Sequence, residues 1–269
     1  MKILLTGAHG NLGRELRKTE LHNIVSIGRS DWNDLDARVG GAVDAVIHAA
    51  SDLRTSMNVA PVAVLNSNIM STARALEAAK RHRIPRFIFI SSCAVYGDEK
   101  YTSEDARCSP VSINGICKLL NEKVISEFCQ GTSIKYTILR VFNMYGGDDH
   151  FSIFRRIANA LENNTPLLLN NQGLAYRDFI HVTDVSNCIL KLLDVDVPFS
   201  HLNIGTGIAT RISDIVNIIQ ARHPALRIQH EHTIEADYSC ADVARLLRLV
   251  RHNFVDVEYY VKSKFFPDD

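Results

Sequence analysis

A doubly wound α/β fold, in which a parallel sheet carries helices on both faces, is predicted by three features of the chain. Short, β-rich and almost wholly apolar runs alternate with longer stretches whose apolar residues recur at helical spacing. A Gly-x-x-Gly-x-x-Gly turn stands between the first such run and the first helical stretch. The 269 residues, 46% of them hydrophobic, suit one large α/β domain or a nucleotide domain with a smaller lobe.

The apolar runs are Lys2–Thr6, Asn23–Ile27, Asp44–His48, Arg86–Ser91 and Ile134–Leu139, and their composition predicts strands covered on both faces. Helices are predicted between them over Asn11–Thr19, Pro61–His82 and Val111–Gln130. Pro61 sits where a first-turn proline is tolerated, and Pro85 breaks the chain before the next strand. Strand–helix–strand alternation implies right-handed crossovers and a Rossmann-type sheet. Gly28–Val43 is too short for a helix, a strand and a second helix, so that part of the sheet should be trimmed. Beyond residue 143 the pattern loosens. Phe151–Glu162 and Arg211–Arg222 read as helices, Asn163–Gly173 as a polar loop ending in glycine, and Arg177–Leu193 as a return to the main domain. The expected division is a dinucleotide-binding domain over 1–150 and 176–203, with a smaller substrate lobe over 151–175 and 204–269.

Several function classes are disfavoured. Lys+Arg and Asp+Glu number 30 each, so no global field draws nucleic acid or acidic membranes. The eleven histidines show no His-Glu-x-x-His or similar ligand spacing, and no metal site is expected. The six cysteines include no Cys-x-x-Cys pair, and Met1-Lys2 leads directly into a strand instead of a signal peptide. No apolar stretch approaches the roughly 18–20 residues needed to span a bilayer. Reduced thiols and a cytoplasmic location are the expectation.

The turn reads Thr6-Gly7-Ala8-His9-Gly10-Asn11-Leu12-Gly13. Glycine permits the tight bend, the approach of backbone to a pyrophosphate, and close helix–strand packing. The amides at the start of the following helix suit phosphate oxygens. The competing reading is an ordinary strand-to-helix loop. The second strand ends in Gly28-Arg29-Ser30-Asp31. An acidic residue there would hold the ribose hydroxyl of NAD(H), and an arginine would pair with the 2′-phosphate of NADP(H). Arg29 comes first, which favours NADP(H) over NAD(H); a solvated loop charge is the alternative. Arg14 is either a further phosphate contact or simply exposed.

Six ordered motifs carry a family resemblance. Thr6-Gly7-x-x-Gly10-x-x-Gly13, His48-Ala49-Ala50, Ser91-Ser92-x-x-Val95-Tyr96-Gly97 and Arg140-x-x-Asn143-x-Tyr145-Gly146 are followed by Arg177-Asp178-Phe179-Ile180-His181-Val182 and Asn203-Ile204-Gly205-Thr206-Gly207. The series resembles the extended short-chain dehydrogenase/reductases, specifically the NAD(P)-dependent epimerase/dehydratase group acting on nucleotide sugars, over nearly the whole chain. The resemblance implies that the glycine turn with Ala49 and Ala50 cradles the dinucleotide, and that Asn68 steadies the region beside it. It implies that Ser92 hydrogen-bonds the reacting sugar oxygen, with Cys93 beside it. Lys118 would hold the nicotinamide ribose and lower the pKa of a tyrosine four residues earlier. Asn143 and Arg177 would bind the diphosphate of the sugar nucleotide. Each role is chemically sound: a fixed donor for a developing oxyanion, an ammonium beside an acid/base group, and a guanidinium forked onto phosphate. The structural alternatives are that Ser92 satisfies a strand end and that Arg177 pairs with Asp178 or a surface carboxylate.

The pattern breaks at one position. The family carries Tyr-x-x-x-Lys on this helix, whereas this chain reads Asn114-Gly115-Ile116-Cys117-Lys118. Positions 114 and 118 share a helical face, but an amide cannot act as a general acid or base. Three explanations stand. The proton passes to Lys118, to a water held by Asn114 and Ser92, or to Cys117; or another phenol, Tyr96, Tyr101 or Tyr176, reaches in; or the protein binds its ligands with little or no turnover. General acid/base help is worth roughly 10²–10⁴ in rate, and orientation survives its loss. A second departure lies at His230-Glu231-His232-Thr233-Ile234-Glu235-Ala236-Asp237, where the family often has a phosphate-gripping arginine before Asp242. His230 and His232 would be weak substitutes. Where sugar dehydratases use Asp-Glu after the serine, this chain has Cys93-Ala94, which favours epimerase-like or reductase-like chemistry.

Three functions follow: an enzyme of nucleotide-sugar metabolism with a rearranged acid/base group; a sensor of NADP(H) or a sugar nucleotide; or a largely structural subunit. The helices at Pro61–His82 and Val111–Gln130 resemble those that build the family's homodimer through a four-helix bundle. No nucleic-acid or membrane partner is expected.

Overall fold

The computed structural model describes residues 1–28, 30–52, 60–99 and 102–267, with only the backbone of 33, 34 and 36. Strand β1 (Lys2–Thr6) enters the glycine turn and α1 (Asn11–Leu16), and β2 (Asn23–Ile27) follows. A 3₁₀ turn (Asp31–Asp34) and α2 (Leu35–Val39) fill the short connection to β3 (Ala45–His48), so this edge is trimmed as the sequence predicts. The long helical stretch is α3 (Pro61–Leu65), a π turn (Asn66–Met70) and α4 (Ser71–Arg81). The π turn has a local cause. Asn68 turns its amide onto the Val64 carbonyl, and its own carbonyl is taken by Asn121 on the next long helix.

Next come β4 (Arg86–Ser92), a 3₁₀ turn (Cys93–Val95), α5 (Ile113–Cys129), β5 (Lys135–Val141) and β6 (Asn143–Tyr145). Then follow α6 (Ile153–Glu162), β7 (Leu167–Asn170), β8 (Tyr176–His181), α7 (Val182–Leu193), β9 (His201–Ile204), β10 (Ala209–Arg211) and α8 (Ile212–Arg222). The chain ends with β11 (Ile228–Glu231), β12 (Tyr238–Ser239), α9 (Ala244–Leu249) and α10 (Val257–Phe265).

The main sheet is parallel, with strand order β2-β1-β3-β4-β5-β9. The chain leaves β1 for β2 and then crosses to β3, so the order reverses at β1/β3, and ligands of such sheets bind beyond the strand ends at this point. Alternate side chains divide the core. Ile3, Leu5, Ile47, Ile88, Ile90, Leu139 and Ile204 pack against α1, α7 and α9, while Leu4, Val46, Phe87, Phe89 and Ile138 pack against α2, α4 and α5.

The lobe holds β10-β8-β12 with β6 joined to β8, and a separate parallel pair of β7 and β11. Three sequence expectations need correction here. The stretch Asn163–Gly173 is not all loop, because Leu167 and Leu169 alternate into the lobe core around exposed Leu168 and make β7. Strand β8, placed with the dinucleotide domain, pairs only with β6, β10 and β12 of the lobe among the described residues. Residues 244–250, placed in the lobe, belong to the main core through Leu246 and Val250. One carboxylate gathers the loops that follow β9 and β12. Asp178 on β8, fully buried, accepts from Thr206 N (2.9 Å), Thr206 Oγ1 (2.6 Å), Gly207 N (2.9 Å) and Ala241 N (3.1 Å). No helix among the described residues is long and apolar enough to cross a membrane.

Candidate functional site

The glycine turn is fixed by what its atoms meet. Gly7 has φ +71°, and a Cβ there would stand 2.6 Å from the Ala49 carbonyl at the end of β3. A Cβ at Gly13 would stand 2.2 Å from the Gly7 carbonyl oxygen. These two glycines let α1 lie against the turn and the turn against β3. Gly10 meets nothing nearer than 3.3 Å, so its bareness serves whatever approaches from outside. Asn11 ties the turn to the segment after β6, donating to the Gly146 carbonyl (2.9 Å) and accepting from Asp148 N (2.8 Å).

A two-compartment cleft straddles this turn. The larger compartment, about 750 Å³, is lined by Gly7, His9, Gly10, Asn11, Leu12, Gly13 and Ala49, and by Ser92, Cys93, Asn114, Lys118 and Asn143. The smaller, about 460 Å³, shares Gly7, His9, Gly10, Ala49 and Ser51, and runs past Ala50, Gly28, Trp32 and Arg74. Thus the expected catalytic, cofactor and substrate positions converge, apart from three. Asn68 does not line the cleft; it stands behind the wall, accepting from Ser51 Oγ (2.7 Å) and Asp52 N (3.0 Å). Arg29 lies outside the described residues. Arg177 lines a neighbouring cavity of about 260 Å³, which shares Asn143, Met144 and Phe151 with the larger compartment and is also bounded by Arg156 and Glu235.

Helix α5 delivers Asn114 and Lys118 to Ser92 because Gly115 lets it press onto the 3₁₀ turn. A Cβ at 115 would meet the Ala94 carbonyl oxygen at 2.3 Å. Ser112 caps the helix by accepting from Gly115 N at 3.1 Å. Lys118 is buried, donates from Nζ to the Ile90 carbonyl (2.7 Å) and lies 4.9 Å from the centroid of the Phe89 ring. Burial pulls its pKa down to about 8, against the upward pull of Glu122 and Cys117. Ser92 accepts from Ala94 N at 3.2 Å, so it caps the strand end and faces the cleft at once. Asn143 donates to the Asp178 carbonyl (3.0 Å). Burial pushes the Cys93 thiol up, with Asp178 adding and Ser239, Arg177 and Ser92 opposing.

The substitute proton carriers are now sorted. Tyr96 is 1% exposed; its hydroxyl donates to Asn203 Oδ1 (2.6 Å) and accepts from Arg140 (3.1 Å), so it is a core phenol, and burial pushes its pKa up. Cys117 is buried away from the cleft lining, and burial raises its thiol pKa. Tyr176 lies against Tyr238 in the lobe, their rings tilted at 39°. Tyr101 lies outside the described residues. No tyrosine is among the described residues lining the larger compartment. Among the candidates in the described residues, Lys118 and a water between Asn114 and Ser92 remain.

Sequence reasoning overlooked Trp32, Arg74, Arg156 and Glu235. Glu235 had a signal, since it falls in the segment where an arginine is missing. The others sit on helices or turns whose facing only the fold reveals. It also passed over the buried cluster behind the site, in which Glu122 receives Arg140 Nη2 (2.7 Å), Arg140 Nε (3.2 Å) and the Ser91 hydroxyl. Among the described residues no three His, Cys, Asp or Glu side chains group as metal ligands.

A parallel sheet with a glycine turn at its switch point, and a hydroxyl and an amine facing that turn, defines a Rossmann-type dinucleotide-binding protein of the extended short-chain dehydrogenase/reductase class. The sequence profile of the NAD dependent epimerase/dehydratase family matches residues 3–205, and the chain belongs to that family. It is 27% identical to the uncharacterized UDP-glucose epimerase YtcB of Bacillus subtilis (strain 168), covering 94% of this chain and 93% of that one. It is 32% identical to a putative UDP-glucose 4-epimerase of Methanocaldococcus jannaschii, covering 70% of this chain and 64% of the relative. The structure of MoeE5 in complex with UDP-glucose and NAD superposes with a TM-score of 0.87 at 26% identity, covering 98% of this chain and 97% of that one.

Proposed function

We propose that this protein is an NAD(P)-dependent epimerase or reductase of a nucleotide sugar in which Lys118 carries the proton that a phenol carries in the family pattern. The observation behind this reading is the convergence of the glycine turn, Ser92, Asn114, Lys118 and Asn143 on one cleft. The cleft suits a dinucleotide: its two compartments meet over Gly7 and Gly10, two residues without side chains that leave backbone open to a pyrophosphate. When bound, that cofactor supplies a nicotinamide able to accept and return a hydride. Ser92 donates to the sugar oxygen and steadies the charge that develops on it. With its pKa down to about 8, Lys118 is about one-tenth neutral near pH 7. The neutral amine accepts the hydroxyl proton and the ammonium returns it, while the Ile90 carbonyl fixes the position of Nζ. Asn114, one turn earlier, orients the hydroxyl but moves no proton.

NADP(H) is the favoured cofactor, although MoeE5 is described with NAD. The Asp31 carboxylate is spent on Gly28 N (2.8 Å) and Arg38 (2.7 Å) and does not line the smaller compartment, whereas the cation Arg74 does. A homodimer through α3 and α5 is also favoured. Val62 and Leu65 on the first, with Ile113, Ile116 and Leu120 on the second, leave exposed apolar stripes.

The test is incubation with NADP⁺ or NADPH and a panel of UDP-, dTDP- and GDP-sugars, following nicotinamide absorbance and product mass. Turnover that disappears in Lys118→Ala supports the reading. Binding of every sugar without turnover would replace it with the sensor role, which the absence of a tyrosine from the described lining of the larger compartment favours. Asn114→Tyr should raise or unmask activity.

A further inference from the structure

The cation best placed to meet a diphosphate is already engaged. Arg177 Nη2 donates to Glu235 Oε2 at 2.8 Å, and Nη1 donates to the Tyr176 carbonyl at 2.9 Å. Glu235 Oε1 in turn receives Asn171 Nδ2 at 3.2 Å. The same Asn171 side chain grips Thr233 from both sides, donating to its carbonyl (2.8 Å) and accepting from its amide (3.1 Å). Residues 233–235 are therefore strapped beside the 260 Å³ cavity by Asn171 from one side and Arg177 from the other. This cavity continues the larger compartment through Asn143, Met144 and Phe151, so a ligand whose sugar faces Ser92 would send its next group towards Arg177.

Two facts set what that group meets. The arginine and the carboxylate are 11% and 20% exposed, so one anion can exchange for another without unfolding. The described charged groups lining the cavity are Arg156 and Arg177 against Glu235, and Arg156 is bonded to the Leu168 carbonyl. A guanidinium takes carboxylate and phosphate oxygens with the same fork geometry, so the two compete for one set of donors.

We infer that Glu235 is a displaceable plug and the specificity-determining residue of this cavity: its carboxylate holds Arg177 until the diphosphate of a nucleotide sugar takes its place. The inference rests on the nucleotide-sugar reading above and adds a cost to binding any diphosphate, since breaking the pair precedes the new contact. Selection then falls on ligands whose base and sugar contribute enough to open the plug, and bare diphosphates are turned away.

Calorimetric titration of the wild type, Glu235→Gln, Arg177→Gln and the double variant with UDP, dTDP, GDP and their glucose conjugates decides it, with NADPH and uridine as controls. Glu235→Gln should bind its preferred diphosphate about tenfold or more tightly, with NADPH and uridine unchanged, and the gain should vanish in the double variant. Diphosphate binding that is indifferent to Glu235→Gln overturns the plug alone, as does a gain that survives loss of Arg177. If neither wild type nor Glu235→Gln binds any of these ligands while NADPH still binds, the plug and the nucleotide-sugar reading fall together. Should Glu235→Gln lose NADPH binding through misfolding, Asn171→Ser loosens the same strap from its other end. A smaller gain there supports the plug, and an unchanged affinity overturns it.

Discussion

Gly115→Ala sets two effects of opposite sign against each other. In an exposed helix the change stabilises by about 1 kcal/mol, because alanine loses less backbone freedom than glycine. Here the new Cβ would stand 2.3 Å from the Ala94 carbonyl oxygen and 2.8 Å from Pro110 Cβ. Opening the first contact from 2.3 Å to 3.0 Å means a retreat of about 0.7 Å by α5 or by the turn at Cys93–Val95. Overpacking of this kind costs about 1–3 kcal/mol, so the clash should win and leave a net loss of about 1 kcal/mol. The retreat also carries Asn114 and Lys118 away from Ser92. Misplacement approaching 1 Å costs up to about a hundredfold in rate, and a tenfold fall or more in kcat/KM is expected. Urea unfolding at constant m gives the first number and steady-state turnover the second. A midpoint that rises, with turnover unchanged, would refute the claim that Gly115 is there for contact with the turn.

Four further outcomes are expected. Glu122→Ala strands the Arg140 guanidinium, 5% exposed, without its carboxylate, and should cost about 3–5 kcal/mol in chemical denaturation; a loss below about 1 kcal/mol would contradict a buried charge there. His48, wholly buried between Thr6 Oγ1 (2.6 Å) and Thr72 Oγ1 (3.0 Å), has its pKa lowered to about 3, chiefly by burial and then by Lys118. The unfolded chain takes up that proton first, so stability should fall by about 1.4 kcal/mol per unit as pH drops below 6.5, and His48→Gln should flatten that slope. If Lys118 is the base proposed above, alcohol oxidation needs its neutral amine and kcat/KM should climb with pH through about 8; a flat profile across that range removes Lys118 as the base. Arg74→Gln should weaken NADPH about tenfold and leave NADH alone, as measured by fluorescence titration.

Much of this was readable in advance, for reasons particular residues make plain. Gly13 answers to the Gly7 carbonyl within the same turn and Gly7 to its own φ of +71°, so their spacing announces the turn, whereas the contact of Gly7 with Ala49 is made only by the fold. Five of the six strands of the main sheet leave apolar runs whose ends fall within two residues of the observed ones, whereas β9, only four residues long, leaves no run of its own and is missing from the sequence reading. Strand β7 escaped because leucines at 167, 168 and 169 hide an in–out alternation that only the pairing with β11 creates. The extent of the lobe was misjudged because Leu246 and Val250 are ordinary helix-spaced apolar residues, and which core they join is a matter of chain path. At the site, Lys118 and Asn114 could be placed on one face from spacing alone. That Glu235 lies on Arg177 could not, since the two are far apart in sequence and meet through the strap that Asn171 holds.

The carboxylate of Asp178 has a dynamic consequence. Amides of Thr206, Gly207 and Ala241, from two separate loops, all end on its two oxygens, so displacement of this one carboxylate frees all three at once. Hydrogen exchange at these three positions should therefore proceed at a common rate, as one cooperative unit, and Asp178→Asn should quicken all three together. The loops after β9 and β12 would then open together, held by one latch on β8.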